Sequence, residues 1–319
     1  MRFWLQRLAA GLLLLLAVSM LTFGAMNLLG DPLFNILGPI AGDTENPTSV
    51  ALIEAAEAEY NLDKPLPVRY AIWLGNFVTG DFGVQFSRDG APPVRDLIEE
   101  RLPRTLTLVV MAQLMATLIA IPWALWSASK ADRAVDKAST VVTFLFVAIP
   151  SFALAVIMKW LFTLKWPIFP QTYNTSDPFW DRVWQTFLPA LTIAIPAGAV
   201  YQRLLRTDLI TTLQEDFILT ARSKGVSKRN VLLKHALRPS LFSFVTIFGI
   251  TTGALIGGAL VVEQIFRIPG LGSAIVEAIL REDFPVVLAI VMIITIGFVV
   301  LNILVDIVYT FIDPRVREA

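Results

Sequence analysis

The chain alternates between long stretches without a charge and short polar connectors. Six uncharged runs reach 20 residues or more: 8–30, 105–129, 138–158, 183–202, 239–262 and 284–305. About 20 apolar residues in a helix cross the ~30 Å hydrocarbon core of a bilayer, so each run is long enough to span one. The pattern predicts an all-α integral membrane protein with six transmembrane helices. It reads as a single transmembrane domain over 1–319, with a large polar insert at 31–104 and a second polar segment at 203–238. Run 8–30 follows Arg2 and Arg7 as a signal peptide would. It exceeds the 7–15 residues of a signal core, however, and lacks a small-residue cleavage end, so a retained helix is expected.

The insert carries its own pattern. Val50 to Tyr60 has helical periodicity, 61–67 breaks it, and Trp73, Phe77, Phe82 and Phe86 follow among Gly75, Gly80 and Gly83. A short helix, a loop and an interface-lying aromatic segment are expected. The insert holds 12 acids, from Asp31 to Glu100, against six Lys and Arg. In run 239–262, Gly249, Gly253 and Gly257 recur every four residues, a spacing that lets helices pack closely in lipid. Pro122, Pro150, Pro189 and Pro196 fall in or beside other runs and can kink them. Lys159 follows the third run and can snorkel outward, and Asn302 and Asp306 lie near the end of the last run.

Composition supports the membrane reading: 55% of residues are hydrophobic and 16% charged, where soluble domains carry roughly 25% charged. Formal net charge is zero, but 15 of the 26 Lys and Arg fall on one side if the N-terminus is inside. Six of the others sit in the one long loop, which the positive-inside rule discounts. Both termini and segment 203–238 are therefore expected in the cytoplasm, with 31–104 outside. The chain has no cysteine, and no phosphate-binding loop, zinc-protease motif or nucleophile elbow is present. No catalytic, metal-ligating or cofactor-binding residues are expected. A secondary transporter would need an ionisable coupling site at midplane and usually internal repeats. A membrane enzyme would need a polar cluster, and the single histidine, His235, has no acid beside it in sequence.

Most informative is DFILTARSKGVSKRNVLLKHALRPS, residues 216–240. It divides at Gly225. A helix over 211–224 places Arg222 and Lys224 at its negative end, with Phe217, Ile218 and Ala221 on one face. Gly225 is the expected left-handed cap, Ser227 an N-cap, and helix resumes from Lys228 to Arg238. Such a helix fits either a lipid surface or a groove in a soluble partner.

The segment resembles the Glu-Ala-Ala loop of binding-protein-dependent ABC importer permeases. With the loop's glycine on Gly225, Leu219, Thr220 and Ala221 occupy the Glu-Ala-Ala positions; His235 and Leu237 fall on its later Ile and Leu. Arg238 takes the proline's place and Pro239 comes one residue late. The glutamate is missing, but TARSKG followed by HALRPSL is similar to the dipeptide, oligopeptide and nickel permease variant. LDKPLPVRYAIWLGNFVTGDFG (62–83), VVEQIFRIPGLGSAIVEAILREDFPVV (261–287) and DIVYTFIDPRVR (306–317) resemble that subfamily in the same order.

The resemblance implies the MetI-like fold of type I importer permeases in a bacterial inner membrane. It further implies a second permease, two cytoplasmic ATPases that bind ATP and Mg, and a periplasmic or lipid-anchored binding protein. Coupling to the ATPases would fall on Phe217, Leu219, Thr220, Ala221, Arg222, Lys224 and Gly225. Peptides are the implied cargo, with a nickel chelate or another small solute as the alternative.

Overall fold

The computed structural model describes residues 2–29, 32–43, 45–87 and 90–312. Arg315 and Arg317 of the charge count, and the end of the DIVYTFIDPRVR stretch, lie outside them, as do Asp31, Arg88 and Asp89. In chain order the helices are α1 (Arg2–Leu29), α2 (Pro32–Leu37), α3 (Pro47–Glu59), α4 (Leu66–Thr79), α5 (Val94–Ala128) and α6 (Ala134–Ala148). There follow α7 (Ser151–Lys159), α8 (Phe179–Thr212), α9 (Asp216–Ser223), α10 (Lys228–Asn230), α11 (Leu237–Phe266), α12 (Leu271–Leu280) and α13 (Phe284–Ile312). Among the described residues the only extended pairing is an isolated bridge between Val84 and Pro93. In lipid every backbone polar group must be satisfied within the chain, and helices do this segment by segment.

Five helical segments are unbroken and apolar enough to cross a membrane; counting two bent pairs brings the number to seven. The expected third span, 138–158, is one of those pairs. Its halves, Ala134–Ala148 and Ser151–Lys165, meet at 95°. The cause is Pro150: the residue before a proline is pushed out of the helical region, and Ile149 sits at φ −79°, ψ 120°. Pro189 and Pro196 lie inside α8 without interrupting it.

The described residues fall into two compact units. The first comprises Met1–Pro103 with Ser273–Val299. In it α3 covers the helix expected over 50–60, and the start of the aromatic stretch forms a second helix, α4. Pro67 does not break structure; it sits in the first turn of α4, where a missing N–H costs nothing. Asp43 accepts from the Ser49 hydroxyl at 2.8 Å, which holds its carboxyl below the usual value. The start of α4 packs on α1 through Phe23, whose ring lies 5.5 Å from both Tyr70 and Trp73. Ser87 donates from its hydroxyl (2.7 Å) and its N–H (3.0 Å) to Asp283, at the entry of α13.

The second unit comprises Arg104–Gly272 with Val300–Ala319. In its core α5, α8 and α11 pack together. Ala112, Ala116, Ala120, Ala124 and Ala128 form a stripe at every fourth position, all buried. Gly198 faces it: a Cβ there would stand 3.2 Å from the Ala116 carbonyl oxygen. Of the glycines expected to pack, Gly249 lies against Val305 of α13, its Cβ position 3.0 Å from a methyl. Gly253 is half-buried in α11, and the surroundings of Gly257 lie outside the described residues. Lys159 does not snorkel outward. Its ammonium reaches back to the Ile265 carbonyl and lies 5.6 Å from the Phe266 ring, where a cation suits the negative end of α11. Asp306 is buried within α13.

Replacing Gly198 with Leu is expected to part α5 from α8, since backbone rather than a flexible side chain opposes the new atoms. A loss of about 1–3 kcal/mol, the usual cost of overpacking, should appear as a lower unfolding temperature in detergent. Gly24→Leu is the control, having nothing within 4 Å of its Cβ position.

Candidate functional site

Segment 203–238 builds a small platform with one helix laid on it. α8 runs to Thr212, ten residues past the uncharged run, because Leu205 and Leu209 continue its buried face. A turn over 213–215 then admits α9, so the expected helix over 211–224 begins later, at Asp216. Ile218 and Ala221 are buried with Leu205, Leu209, Val231 and Ala236 in one apolar cluster. Phe217, by contrast, is exposed, as are Leu219, Thr220, Arg222 and Lys224. The face shared by Phe217, Ile218 and Ala221 is thus split. At 3.6 residues per turn Ala221 lies about 40° from Phe217 and about 60° from Ile218, and α9 turns its Ile218–Ala221 side to the core.

α9 ends as its glycine requires. Gly225 has φ +80°, its N–H donates to the Arg222 carbonyl at 2.9 Å, and the Val226 N–H donates to the Ala221 carbonyl at 3.2 Å. This doubly bonded turn is the Schellman motif. Ser227 then caps α10, accepting from the Asn230 N–H at 3.4 Å. A π-helical turn, Val231–Ala236, carries the chain into α11, with Pro239 in its first turn. His235 is half-buried in that turn. α9 presents two apolar side chains, Phe217 and Leu219, and the segment adds Arg222, Lys224, Lys228 and Arg229, all exposed.

The platform is pinned by polar groups absent from the sequence-based candidates. Asp136 of α6 is 2% exposed. It accepts from Arg206 Nε and from the Ser127 hydroxyl, each at 2.6 Å, and from the Asp132 N–H at 3.0 Å. A buried carboxylate needs such full pairing. Deeper in the unit, Tyr201 donates to Gln113 Oε1 at 2.7 Å, and Gln113 in turn reaches Thr252. Thr143 donates to Gln202 at 2.8 Å. Beyond the far end of these contacts, Glu263 is fully buried and accepts from the Thr105 hydroxyl at 2.6 Å. Gly270 and Gly272 leave room for its carboxylate. Glutamines inside otherwise apolar runs were the available signal, since lipid gives an unpaired amide no partner.

Gly225→Val is expected to destabilise the α9 turn by about 2 kcal/mol, because the left-handed region is hostile to a β-branched residue. Gly225→Asn should cost much less, as asparagine tolerates that conformation and nothing lies within 4 Å of the Cβ position. Hydrogen exchange over 216–226 should rise for the first variant and stay near wild type for the second. Asp136→Ala should loosen the same segment indirectly; removing one partner of a buried pair costs about 3–5 kcal/mol, less here because Arg206 is 21% exposed.

Residues 120–318 match the family of binding-protein-dependent transport system inner membrane components. The chain is 35% identical to the oligopeptide transport system permease protein AppB of Bacillus subtilis, over 98% of each chain. It is 38% identical to a putative peptide transport system permease protein of Brucella abortus, over 98% of each. With the glutathione transport system permease protein GsiC of Escherichia coli it shares 32%, again over 98% of each. Such a chain is a multi-pass inner-membrane subunit without an ATPase site of its own, and it works with partner ATPase and substrate-binding proteins. From its first helix to its last, the chain belongs to the binding-protein-dependent ABC importer permeases of the dipeptide and oligopeptide type.

Proposed function

We propose that this permease moves peptides inward and that α9 is the helix through which ATP hydrolysis drives it. The observation carrying the coupling role is the division of α9 itself. Ile218 and Ala221 fasten it to the platform, while Phe217, Leu219, Arg222 and Lys224 remain exposed. An interface of this kind uses apolar anchors for affinity and rim charges for orientation and association rate. The peptide cargo is supported by the relatives named as peptide and oligopeptide permeases.

In this reading six segments cross the membrane, the bent pair α6–α7 counting as one. Both termini and α9 face the cytoplasm, and the 31–104 insert faces outward toward the binding protein. A second permease completes the pathway, and two ATPases hold ATP and Mg. Closure of the ATPase dimer moves α9, and Leu205, Leu209 and the Asp136–Arg206 pair pass that movement to α8 and α6. The spans switch between inward- and outward-facing states because the ATPases contact the two states differently. The missing glutamate at Leu219 makes the contact apolar at that position.

The double variant Phe217→Ser/Leu219→Ser should insert and fold, since both side chains are already exposed, yet lose ATPase association by about tenfold or more. Peptide uptake into proteoliposomes containing the complete importer should fall with it. Unchanged association would end the coupling assignment. Uptake of a nickel chelate but of no peptide would end the cargo assignment.

A further inference from the structure

In the first unit, a cavity of about 220 Å³ opens between the last turns of α1, the turn from α3 into α4, and the first turn of α13. Its walls are largely aromatic: Phe23, Tyr60, Trp73, Phe82, Phe86 and Phe284. Met26, Ile72 and Leu288 extend the apolar surface, while Arg69, Glu59 and Asp81 bring both signs of charge to the lining. The rings are held by one another. Tyr60 meets Phe86 edge-on at 5.2 Å, and the Phe23, Trp73, Phe77 and Phe82 rings follow in a chain with spacings of 5.0–5.7 Å. The cavity is therefore preformed.

Its depth decides what can reach it. The Tyr70 hydroxyl of α4 hydrogen-bonds the Ser19 hydroxyl of α1 at 2.7 Å, and Ser19 is fully buried. At 1.5 Å per residue, Ser19 lies about 15 Å below the end of α1, and the whole helix is about 42 Å long. Hydrocarbon is ~30 Å thick. Even if all the excess projected at this end, about 12 Å, Ser19 would sit inside the apolar layer. The Tyr70 side chain therefore reaches into the apolar layer, and Val68 and Val78 of the same helix are exposed apolar side chains suited to lipid. Arg69 and Trp73, on the same helix, line the cavity at the boundary between hydrocarbon and water.

We propose that this cavity is a binding site for a phospholipid with an amine-bearing headgroup, phosphatidylethanolamine in chemistry. Arg69 takes the phosphate, as guanidinium forks do. Glu59 and Asp81, with the faces of the surrounding rings, take the ammonium. An acyl chain runs along Met26, Ile72 and Leu288. The mixture of charges disfavours a purely anionic lipid, because Glu59 and Asp81, the latter already accepting from the Gly83 N–H at 3.0 Å, would repel its headgroup. The assignment rests on α1 and α13 crossing the membrane, and it is independent of the cargo.

The test uses the assembled importer in nanodiscs, with photoactivatable phosphatidylethanolamine and phosphatidylglycerol supplied in turn. Cross-linking of the first to 59–86 and 284–288 is expected, falling about tenfold in Arg69→Gln/Glu59→Gln, the loss of a charge-assisted hydrogen bond. Ile72→Trp, which fills the cavity and leaves the charges, should reduce labelling similarly. Equal labelling by both lipids, labelling confined to other segments, or undiminished labelling in both variants would overturn the proposal. So would displacement of the label by a soluble dipeptide, which would make the cavity a peptide site. Peptide uptake, measured in parallel, reports on the transport reading separately.

Discussion

Lipid removes the force that usually holds helices together, and the rest of this structure follows from the substitute. Hydrocarbon is as apolar as leucine, so burial against another helix gains little. What remains is close contact and internal hydrogen bonding. The alanine stripe of α5 and Gly198 of α8 supply the first, bringing two backbones within van der Waals reach. Gln113, Tyr201 and Thr252 supply the second, joining α5, α8 and α11 at a depth where no water competes. Large apolar side chains instead face outward: along α1, Leu5, Leu8, Leu12, Leu13 and Leu21 are all exposed.

This seam also makes coupling mechanically possible. A helix that merely floated at the surface would absorb a push from a partner. α9 is short, but its buried side chains rest on the end of a helix that is itself tied to α6 by a paired carboxylate. The turn at Gly225 fixes its exit, and the π-helical turn after α10 leads without a break into α11. In the proposed coupling, α9 therefore bears on two long helices at once. Stiff connections of this kind convert small movements at one site into a change between discrete packings.

The insert follows different physics. Its helices are too short to stand alone, and they acquire order from aromatic contact with α1 and from the Ser87–Asp283 hydrogen bonds at the entry of α13. That attachment gathers polar and aromatic groups around the last turns of α1. An acidic, aromatic surface of this size exceeds what a connection between two helices needs.

Much of this was legible in the residues alone. Uncharged runs give the helices, because 20 residues without a charge have few alternatives. Gly225 and Ser227 mark the turn after α9, since left-handed backbone and an unpaired N–H each demand a particular residue type. Segments 62–83, 216–240 and 261–287 carry the family. Tertiary structure alone decided the rest. Pro150 bends its span by 95° while Pro189 and Pro196 leave α8 continuous, and a proline in the sequence does not by itself distinguish the two outcomes. Phe217 is exposed and Ile218 buried because α9 has a particular rotation on Leu205 and Leu209, which helical periodicity cannot supply. Asp136 meets Arg206 across 70 positions, and Lys159 finds a carbonyl on α11 rather than water. Periodicity reports which residues share a face; only packing reports what that face touches.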